Sequence, residues 1–403
     1  MPLESPATGA ARRLRLCWVV PWFGQSHAYI ENDLPPALVE QGVDVRVVTS
    51  EFQPEFYVAD WSERYARAFG PNRFPPGPYR HGCTDVRRLR SVAIRRWVML
   101  RGLHRAVADF RPDLVETSGI SAPLTWQAAG VARRLAVPFV VSHHMPKVTA
   151  TNTGLLERFQ AFVGRRVLDS AAGVFFVSDE ARGHAVERYG KLPDRTWPMP
   201  LGVDTATFHA NDRDSWSANR RAVRQRLGIA TDAPLVVYTG RLEESKGMGI
   251  LATAMKRLEA TGIHFAFAGR GACEGLLKSC PNAHLLGYRP QPELVDLYRA
   301  CDLAVWPDSM SVSQLHVLAC GARLLVPMPH PKPELIECGA ETFRRGDVSA
   351  LADAVLRMAT RPADWELATE TASFTADRYS WAAIAAKRLA CYREILGAGR
   401  RPR

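Results

Sequence analysis

Two cationic side chains lie five residues apart in one glycine-bounded segment of this sequence. The segment reads Gly240-Arg241-Leu242-Glu243-Glu244-Ser245-Lys246-Gly247, and it joins a predicted strand to a predicted helix. Arginine offers a planar fork of donors and lysine a point charge, and the helix amino terminus adds positive potential, so the loop suits a diphosphate. Arginine and lysine are more commonly solvated surface residues. The spacing alone therefore leaves diphosphate binding and a solvated loop as alternatives.

Two adjacent histidines, His143 and His144, follow a predicted strand at its carboxyl end. A histidine in that place can orient a phosphate or a sugar hydroxyl, or transfer a proton. The alternative is a pair of surface histidines. Two ligands are too few for a metal site, and none is predicted.

A serine-rich segment leads from another predicted strand into a helix. Ser311, Val312 and Ser313 would offer free N–H groups and hydroxyls at the start of that helix, which favours an anion. Asp308 and His316 flank the segment, eight residues apart. An ordinary serine cap on a buried helix is the alternative.

Two glycine positions are weaker signals. Gly24 follows the first predicted strand, where a glycine lets a ligand approach the backbone closely. Gly269-Arg270-Gly271 forms a G-x-G turn after a strand but lacks the third glycine of a dinucleotide fingerprint.

Short apolar runs alternate with helical patterns along the chain, which is typical of βαβ units and parallel sheets. The predicted strands are 14–20, 43–49, 114–116, 139–142 and 173–177, then 235–238, 264–268, 284–286, 303–305 and 324–327. The predicted helices of the first half are 29–41, 95–109, 123–135 and 153–168. Ligands of open parallel sheets bind at the carboxyl ends of the strands, which is where the candidate residues lie.

The length of 403 residues exceeds one ordinary core, so we expect two α/β domains. The first spans 1–204 and the second 233–380. Residues 205–232 connect them, with a short helix around 221–227, and a final helix over 381–396 packs back onto the first domain. Residues 52–83, rich in proline and aromatic side chains, predict a long loop.

The composition, with 47% hydrophobic and 23% charged residues, is that of a globular protein. No apolar run approaches the length of a membrane-spanning helix, and the first run is a buried strand rather than a signal peptide. The eight cysteines show neither a CxxC pair nor a zinc spacing, which predicts reduced thiols and a cytoplasmic protein.

The formal net charge of +11 is concentrated between Arg64 and Arg105. Nucleic acid, an anionic membrane surface and simple solvation are the alternatives. No RNA-binding or DNA-binding module is present, so we expect no nucleic-acid partner. The stretch from Arg87 to Arg105 predicts peripheral contact with the inner membrane face, provided that its charges share one face.

Taken together, these segments resemble the GT-B-fold glycosyltransferases, closest to the retaining family 4, over nearly the whole chain. The markers, in order, are Gly24, His144, Ser178-Asp179-Glu180, Pro200-Leu201-Gly202-Val203-Asp204-Thr205-Ala206-Thr207-Phe208, Gly240-Arg241 with Lys246-Gly247, Gly269 to Gly271, Gly287-Tyr288, and the stretch from Asp308 to Gly321. Seven or more such markers in this order are specific, although each by itself is common.

The resemblance implies two Rossmann-like domains with the active site in the cleft between them. Arg241 and Lys246 would hold the donor diphosphate without a metal ion, and Gly24 would let its loop approach the phosphates. Tyr288 falls where the base is recognised and His144 near the transferred sugar. Transfer would retain configuration, with the leaving phosphate assisting deprotonation of the acceptor. No cofactor beyond the donor, a UDP, GDP or TDP sugar, is implied.

The implied catalytic residues are His144 and Asp308. The implied donor-binding residues are Gly24, Arg241, Lys246, Gly271, Tyr288, Ser311, Val312, Ser313 and His316.

One departure from the family concerns its last motif, which normally holds two glutamates separated by seven residues. Counting back from Ala319-Cys320-Gly321 places Asp308 at the first position and His316 at the second. Asp308 can still contact donor-sugar hydroxyls, but His316 cannot accept both ribose hydroxyls as a carboxylate does. Either the ribose is held differently, or the donor carries 2′-deoxyribose, as a TDP sugar does.

Three functions therefore remain in view, led by a retaining hexosyl- or deoxysugar-transferase. The others are a nucleotide-sugar epimerase or phosphorylase-type enzyme of the same fold, and a catalytically weakened binding or scaffold protein. Residues 25–31 and 52–83 should shape the acceptor site, and a glycan, a natural product and a lipid-linked acceptor suit them equally. The sequence leaves the oligomeric state open.

Overall fold

The central strands of both sheets are short apolar runs that are buried on both faces, as in parallel sheets covered by helices. The computed structural model describes residues 12–24, 30–54, 56–57, 61, 66, 70–94, 97–144, 154–308 and 311–398. The chain divides into two units: Met1–Met199 with Ala385–Arg403, and Pro200–Ile384.

The first unit alternates strands and helices along most of its length. Its elements are β1 (Arg15–Val19), α1 (Ile30–Glu40), β2 (Asp44–Ser50), β3 (Gly77–His81), β4 (Thr84–Leu89), β5 (Ser91–Ile94), β6 (Trp97–Leu100), α2 (Leu103–Phe110), β7 (Leu114–Ser118), α3 (Pro123–Arg134), β8 (Phe139–His143), α4 (Leu155–Ser170), β9 (Gly173–Phe176), α5 (Asp179–Tyr189) and β10 (Thr196–Pro198).

Eight of these strands form one sheet in the order β10-β9-β8-β7-β1-β2-β4-β3, and only β3 runs antiparallel to its neighbour. The strands β5 and β6 form a separate antiparallel hairpin. The chain builds the sheet outward from β1 in one direction and then from β7 in the other. The carboxyl ends of β1 and β7 therefore flank the topological switch point, where ligands of such sheets bind.

The second unit repeats the same principle. Its elements are α6 (Arg213–Leu227), β11 (Leu235–Thr239), α7 (Met248–Arg257), β12 (His264–Ala268), α8 (Glu274–Lys278), β13 (Ala283–Gly287), α9 (Gln291–Ala300), β14 (Leu303–Val305), α10 (Ser313–Ala319), β15 (Leu324–Met328), α11 (Pro333–Glu337), β16 (Glu341–Arg344), α12 (Val348–Ala359) and α13 (Trp365–Tyr379). The parallel sheet has the order β13-β12-β11-β14-β15-β16, so its switch point lies between β11 and β14.

The last helix, α14 (Trp381–Ala398), contributes its later residues to the first unit. The Arg388 guanidinium donates to the Glu116 carboxylate and, at 3.0 Å, to the Ser142 hydroxyl. The Tyr392 hydroxyl donates to the other oxygen of Glu116. Glu116 and Arg388 are fully buried, and the pairing compensates the loss of hydration of both charges.

The expected fold class, two parallel α/β sheets, is confirmed. The predicted strands are confirmed within about two residues at their ends, because continuous apolar runs mark strands buried on both faces.

The helix expected over residues 95–109 is wrong in its first half. Residues 97–100 form β6, with alternating burial that suits a strand, and Gly102 has φ 75° before α2 begins at Leu103. The loop expected over residues 52–83 contains β3 and a bridge between Phe52 and Arg73 where it is described.

Residues 205–232 were expected to connect the two domains, but they belong to the second unit. The reason is α6, which packs along α9 and places Arg220 and Arg224 against the carboxylate of Asp302. All eight cysteines are free thiols.

Candidate functional site

Two loops of the second unit meet at its switch point, one after β11 and one after β14. Gly247, with φ 76°, closes the first loop; a Cβ there would lie 3.0 Å from side-chain atoms of Pro307 and of Asp308 in the second. This close approach requires glycine. The structure therefore brings the predicted cationic loop and the predicted serine-rich segment together.

Arg241 and Lys246 differ in their surroundings. The Arg241 side chain is 69% exposed, with a Glu243 oxygen 3.7 Å from its guanidinium, and the Tyr238 hydroxyl donates to its backbone carbonyl at 3.0 Å. Lys246 is half-buried. Its pKa is lowered, chiefly by burial and next by the charge of Arg241, while Glu243 and Asp308 oppose the change. Both cations therefore act on one small region of the surface.

Asp308 is paired with a residue that the sequence did not point to. The Arg345 guanidinium forms an ion pair with its carboxylate and also donates to its backbone carbonyl at 3.0 Å. A second Arg345 nitrogen donates to the carbonyl of Pro329 at 2.8 Å. Asp308 is thus held by Arg345 as an oriented acceptor near Lys246.

The segment of Ser311, Val312 and Ser313 differs from its expected form. The N–H of Ser311 donates to the Gln314 side chain at 3.0 Å, and the N–H of Ser313 donates to the Ser311 hydroxyl at 3.2 Å. The expectation of free N–H groups at these two serines is therefore wrong for this conformation. Side chains of the segment and of the first turn of α10 satisfy the two N–H groups, as short polar side chains commonly do for nearby backbone.

His316 is buried against an aromatic ring. Its imidazole stacks on Phe208, with ring centroids 4.0 Å apart and an interplanar angle of 10°. Burial, followed by the charge of Lys332, lowers its pKa to about 4, although Asp204 acts in the opposite direction. His316 is therefore neutral at pH 7, with one face covered by the segment before α6.

Gly271 and Tyr288 lie on the loops after β12 and β13. A Cβ on Gly271 would overlap the backbone carbonyl of Leu242, so this glycine packs the two loops together. Tyr288 is 64% exposed. Both stand at the carboxyl edge of the sheet.

Two functional candidates were missed in the sequence, Arg345 and Lys332. Arg345 follows β16, which was not predicted, and buried Lys332 follows β15 and donates to the carbonyl of Ser311 at 3.0 Å. Both residues follow the carboxyl ends of strands, where ligands of parallel sheets bind, and this position is the signal that points to them.

The first unit contains a cavity of about 350 Å³ at its own switch point. Its apolar walls come from Trp22, Trp97, Ile120 and Leu124. Its polar lining includes Glu31, His143, His144, Gln160 and Arg188. A cavity with apolar walls and a few polar groups is the usual form of a small-molecule site.

His143 is the last residue of β8 and His144 follows it, and both line this cavity. His143 is almost fully buried, and neither ring nitrogen has a hydrogen-bond partner among the described residues. Burial, and then the neighbouring His144, His184 and Arg188, lowers its pKa to about 3. Burial and then Arg388 lower the pKa of His144 to about 4. Both imidazoles are neutral at pH 7.

Glu31, from the first turn of α1, gives the cavity an unusually weak carboxylic acid. Burial raises its pKa to about 7, so that it titrates near neutrality. Gly24, at the end of β1, has its carbonyl held by the Asn32 side chain at 2.6 Å. Residues 25–29, expected to help shape an acceptor site, lie outside the described residues.

Within the described part of the chain, no group of three or more His, Cys, Asp or Glu side chains has the arrangement of a metal site. Among those same residues, no helix is both long and apolar enough to cross a membrane.

Two family models match this chain. The model described as Glycosyl transferase 4-like domain matches residues 28–202, and the one described as Glycosyl transferases group 1 matches residues 233–361. Together the two matches cover most of the chain.

Curated relatives include D-inositol 3-phosphate glycosyltransferases. That of Xylanimonas cellulosilytica is 27% identical over 342 residues, which are 79% of this chain and 76% of the relative. That of Geodermatophilus obscurus is 30% identical over 226 residues, 49% of this chain and 48% of the relative. That of Segniliparus rotundus is 24% identical over 296 residues, 66% of this chain and 63% of the relative. The chain thus spans less than two thirds of the length of the last two.

Similar solved structures include sucrose-phosphate synthase from Thermosynechococcus elongatus. Its TM-score is 0.67 at 18% identity, over 96% of this chain and all of that one. HepE from Anabaena in complex with UDP has a TM-score of 0.66 at 14% identity, over 94% of this chain and all of that one. These likenesses show the fold.

Proposed function

We propose that this chain, which belongs to the GT-B-fold glycosyltransferases with a glycosyl transferase 4-like domain and a group 1 domain, transfers a sugar from a nucleotide-diphosphate donor to an acceptor hydroxyl with retention of configuration. The observation that carries the proposal is the pair Arg241 and Lys246 at the switch point of the second sheet, beside Asp308. Two cations stabilise the charge that develops on a leaving diphosphate, a task that a metal ion performs in other enzymes. The transfer is therefore proposed to need neither a metal nor a further cofactor.

Asp308 and His144 take separate roles in this proposal. The Asp308 carboxylate, oriented by Arg345, accepts hydrogen bonds from hydroxyls of the donor sugar. His144, with a pKa of about 4, is a weak base at pH 7 and serves as a neutral hydrogen-bonding group. The acceptor proton then passes to the leaving phosphate, which is consistent with front-side attack and retention.

The nucleotide of the donor is proposed to be a thymidine diphosphate. His316 stands where the family has a carboxylate that accepts hydrogen bonds from two ribose hydroxyls. Its imidazole is neutral and stacked on Phe208, and it cannot accept both bonds. A 2′-deoxyribose presents only one of these hydroxyls. Ser311, Val312, Ser313 and Gly271 shape the loops around the nucleotide, and exposed Tyr288 lies where the base is expected. A UDP or GDP complex much tighter than the TDP complex would overturn this assignment. The Anabaena relative in fold, HepE, binds UDP, which makes UDP the direct comparison.

The acceptor is proposed to bind in the cavity of the first unit, on the cytoplasmic side of the cell. Its walls are aromatic and aliphatic, and its polar end combines Glu31 with two neutral histidines. An acceptor with an apolar body and a hydroxyl fits this lining, whether it is a natural product, a glycan with an apolar aglycone or a lipid-linked sugar.

The first experiment is a thermal-shift panel of UDP, GDP and TDP, because a ligand that binds the folded state raises the unfolding temperature by mass action. Hydrolysis or transfer of the matching nucleotide sugar is then followed with and without EDTA, and the anomeric configuration of the product is read by NMR. Full activity in EDTA and an unchanged anomeric configuration are expected.

Two other results would replace the proposal. Conversion of the donor sugar into its epimer, without transfer, would identify a nucleotide-sugar epimerase. A diphosphate that binds with no turnover of any donor would identify a binding or scaffold protein, the alternative that Asp308 and His316, in place of the two glutamates, leave open.

A further inference from the structure

The hairpin of β5 and β6 in the first unit carries an exposed apolar face. Val92, Ile94 and Met99 are 44%, 69% and 40% exposed, whereas Val98 and Leu100 are buried against the unit. The register pairs Val92 with Met99 and Ile94 with Trp97, so these side chains share one side of the hairpin. An apolar sheet face of this kind normally has a partner.

Arginines border the same face. The backbone of Arg101 donates to the carbonyl of Arg90 at 2.8 Å, which continues the pairing of the two strands by one step. Because side chains alternate along a strand, Arg90 and Arg101 lie on the side of Val92 and Met99. Both are exposed, and their guanidinium groups form no hydrogen bond or ion pair with any described residue.

The surrounding sequence and surface are basic as well. Seven arginines and no acidic residue occur between Asp85 and Asp109. Arg88 faces inward, where it is buried and stacks on Phe74 and Tyr79, so the charges of this stretch do not all share one face. Arg90 and Arg101 instead line an open cavity of about 560 Å³ that includes Arg73, which is paired with Glu51. This cavity suits a phosphate group.

We infer that this hairpin docks on an anionic lipid bilayer. Val92, Ile94 and Met99 would enter the boundary of the acyl chains while Arg90 and Arg101 bind lipid phosphates, the usual division between apolar and basic side chains at membranes. A second copy of the chain fits poorly, because a symmetric contact joins this face to itself and the stretch between Asp85 and Asp109 supplies no acidic partner for Arg90 and Arg101.

The hairpin also borders the cavity assigned to the acceptor. Trp97, paired with Ile94 across the hairpin, and the buried Val98 both line that cavity. A lipid-borne acceptor could therefore remain in the bilayer while its hydroxyl enters the cavity. This last step rests on the proposed glycosyl transfer, whereas docking on lipid does not.

The test is flotation of the full chain with vesicles of phosphatidylcholine, alone or mixed with phosphatidylglycerol. The wild type should float with the anionic vesicles only, and less at high salt. The variant I94Q/M99Q should bind at least about tenfold more weakly, and R90Q/R101Q about fivefold more weakly for each arginine removed. Matched controls in the second unit are L356Q/L367Q and R221Q/R226Q, which remove exposed side chains of the same types and should bind like the wild type.

Equal flotation of hairpin variants and controls, or no flotation of the wild type, would overturn the inference. So would a dimer that dissociates in I94Q/M99Q without any binding to vesicles, since the face would then belong to a second copy. A thermal-shift response to the nucleotide diphosphate, measured on each variant, verifies folding and separates the two proposals. Vesicle binding without nucleotide binding overturns the glycosyl transfer alone, and the reverse result overturns membrane docking alone.

Discussion

Replacement of Lys246 by methionine is the sharpest test of the diphosphate site. The ammonium group is half-buried and its pKa is already lowered by burial and by Arg241, so the free site holds two cations near each other. A bound diphosphate would relieve this repulsion. Methionine preserves most of the apolar stem, so the change removes the charge while keeping the packing.

The expected loss follows from the surroundings of the two cations. A hydrogen bond to a charged partner contributes about 1.5–3 kcal/mol, and a half-buried lysine should be in the middle of that range. About 2 kcal/mol corresponds to roughly a 30-fold rise in Kd for the nucleoside diphosphate. Arg241 is 69% exposed and lies near Glu243, so R241M should raise Kd only about fivefold.

Isothermal titration with UDP and TDP measures both values. The control is K256M, which removes an exposed lysine of the same unit and changes the net charge equally. A Kd for K246M within about twofold of the K256M value would refute the diphosphate site. A larger loss for R241M than for K246M would show that the burial argument assigns the two roles in the wrong order.

Three further outcomes follow from the packing and the buried charges. Replacing Arg388 by methionine leaves the buried Glu116 carboxylate without its ion-pair partner. The free energy of unfolding of the first unit, measured in urea, should fall by about 3–5 kcal/mol. The control R393M, on the exposed side of the same helix, should have little effect. G271A forces a Cβ into a backbone carbonyl and should cost about 1–3 kcal/mol by thermal unfolding, whereas G275A, with open space around its Cβ, should be neutral or stabilising. His316 has a folded pKa of about 4, below its unfolded value, so its contribution is present above about pH 6.5 and is lost as the pH falls toward 4. H316N should flatten that decline in urea unfolding by about 1.4 kcal/mol per pH unit, and an unchanged slope would contradict the buried, neutral imidazole.

The fold class was predictable because its signals are local. Runs such as 264–268 and 303–305 are buried on both faces, and continuous apolar runs mark such strands without knowledge of their neighbours. The hairpin of β5 and β6 was less accessible. Its residues alternate between a buried face and an exposed face, and both faces are apolar. The apolar positions therefore lack the alternation that marks a strand, and the sequence predicted a helix over residues 95–109.

The diphosphate-binding candidates were also readable in the sequence, for the same reason. Arg241 and Lys246 belong to a single loop, so their proximity depends on five residues of backbone. The resemblance to the family then supplied the order of the remaining markers. It could not supply the environment of Asp308 and His316, where this chain departs from the family.

The tertiary structure alone decided which distant side chains meet. Arg345 pairs with Asp308 across 37 residues, and Arg388 pairs with Glu116 across 272. It also placed His316 against Phe208 and left Arg90 and Arg101 beside an exposed apolar face. Such contacts depend on strand order and register, which bring together residues whose spacing along the chain carries no trace of the pairing. The sequence by itself determined the family and the cationic pair Arg241 and Lys246. The tertiary structure determined which distant residues contact the other predicted site residues.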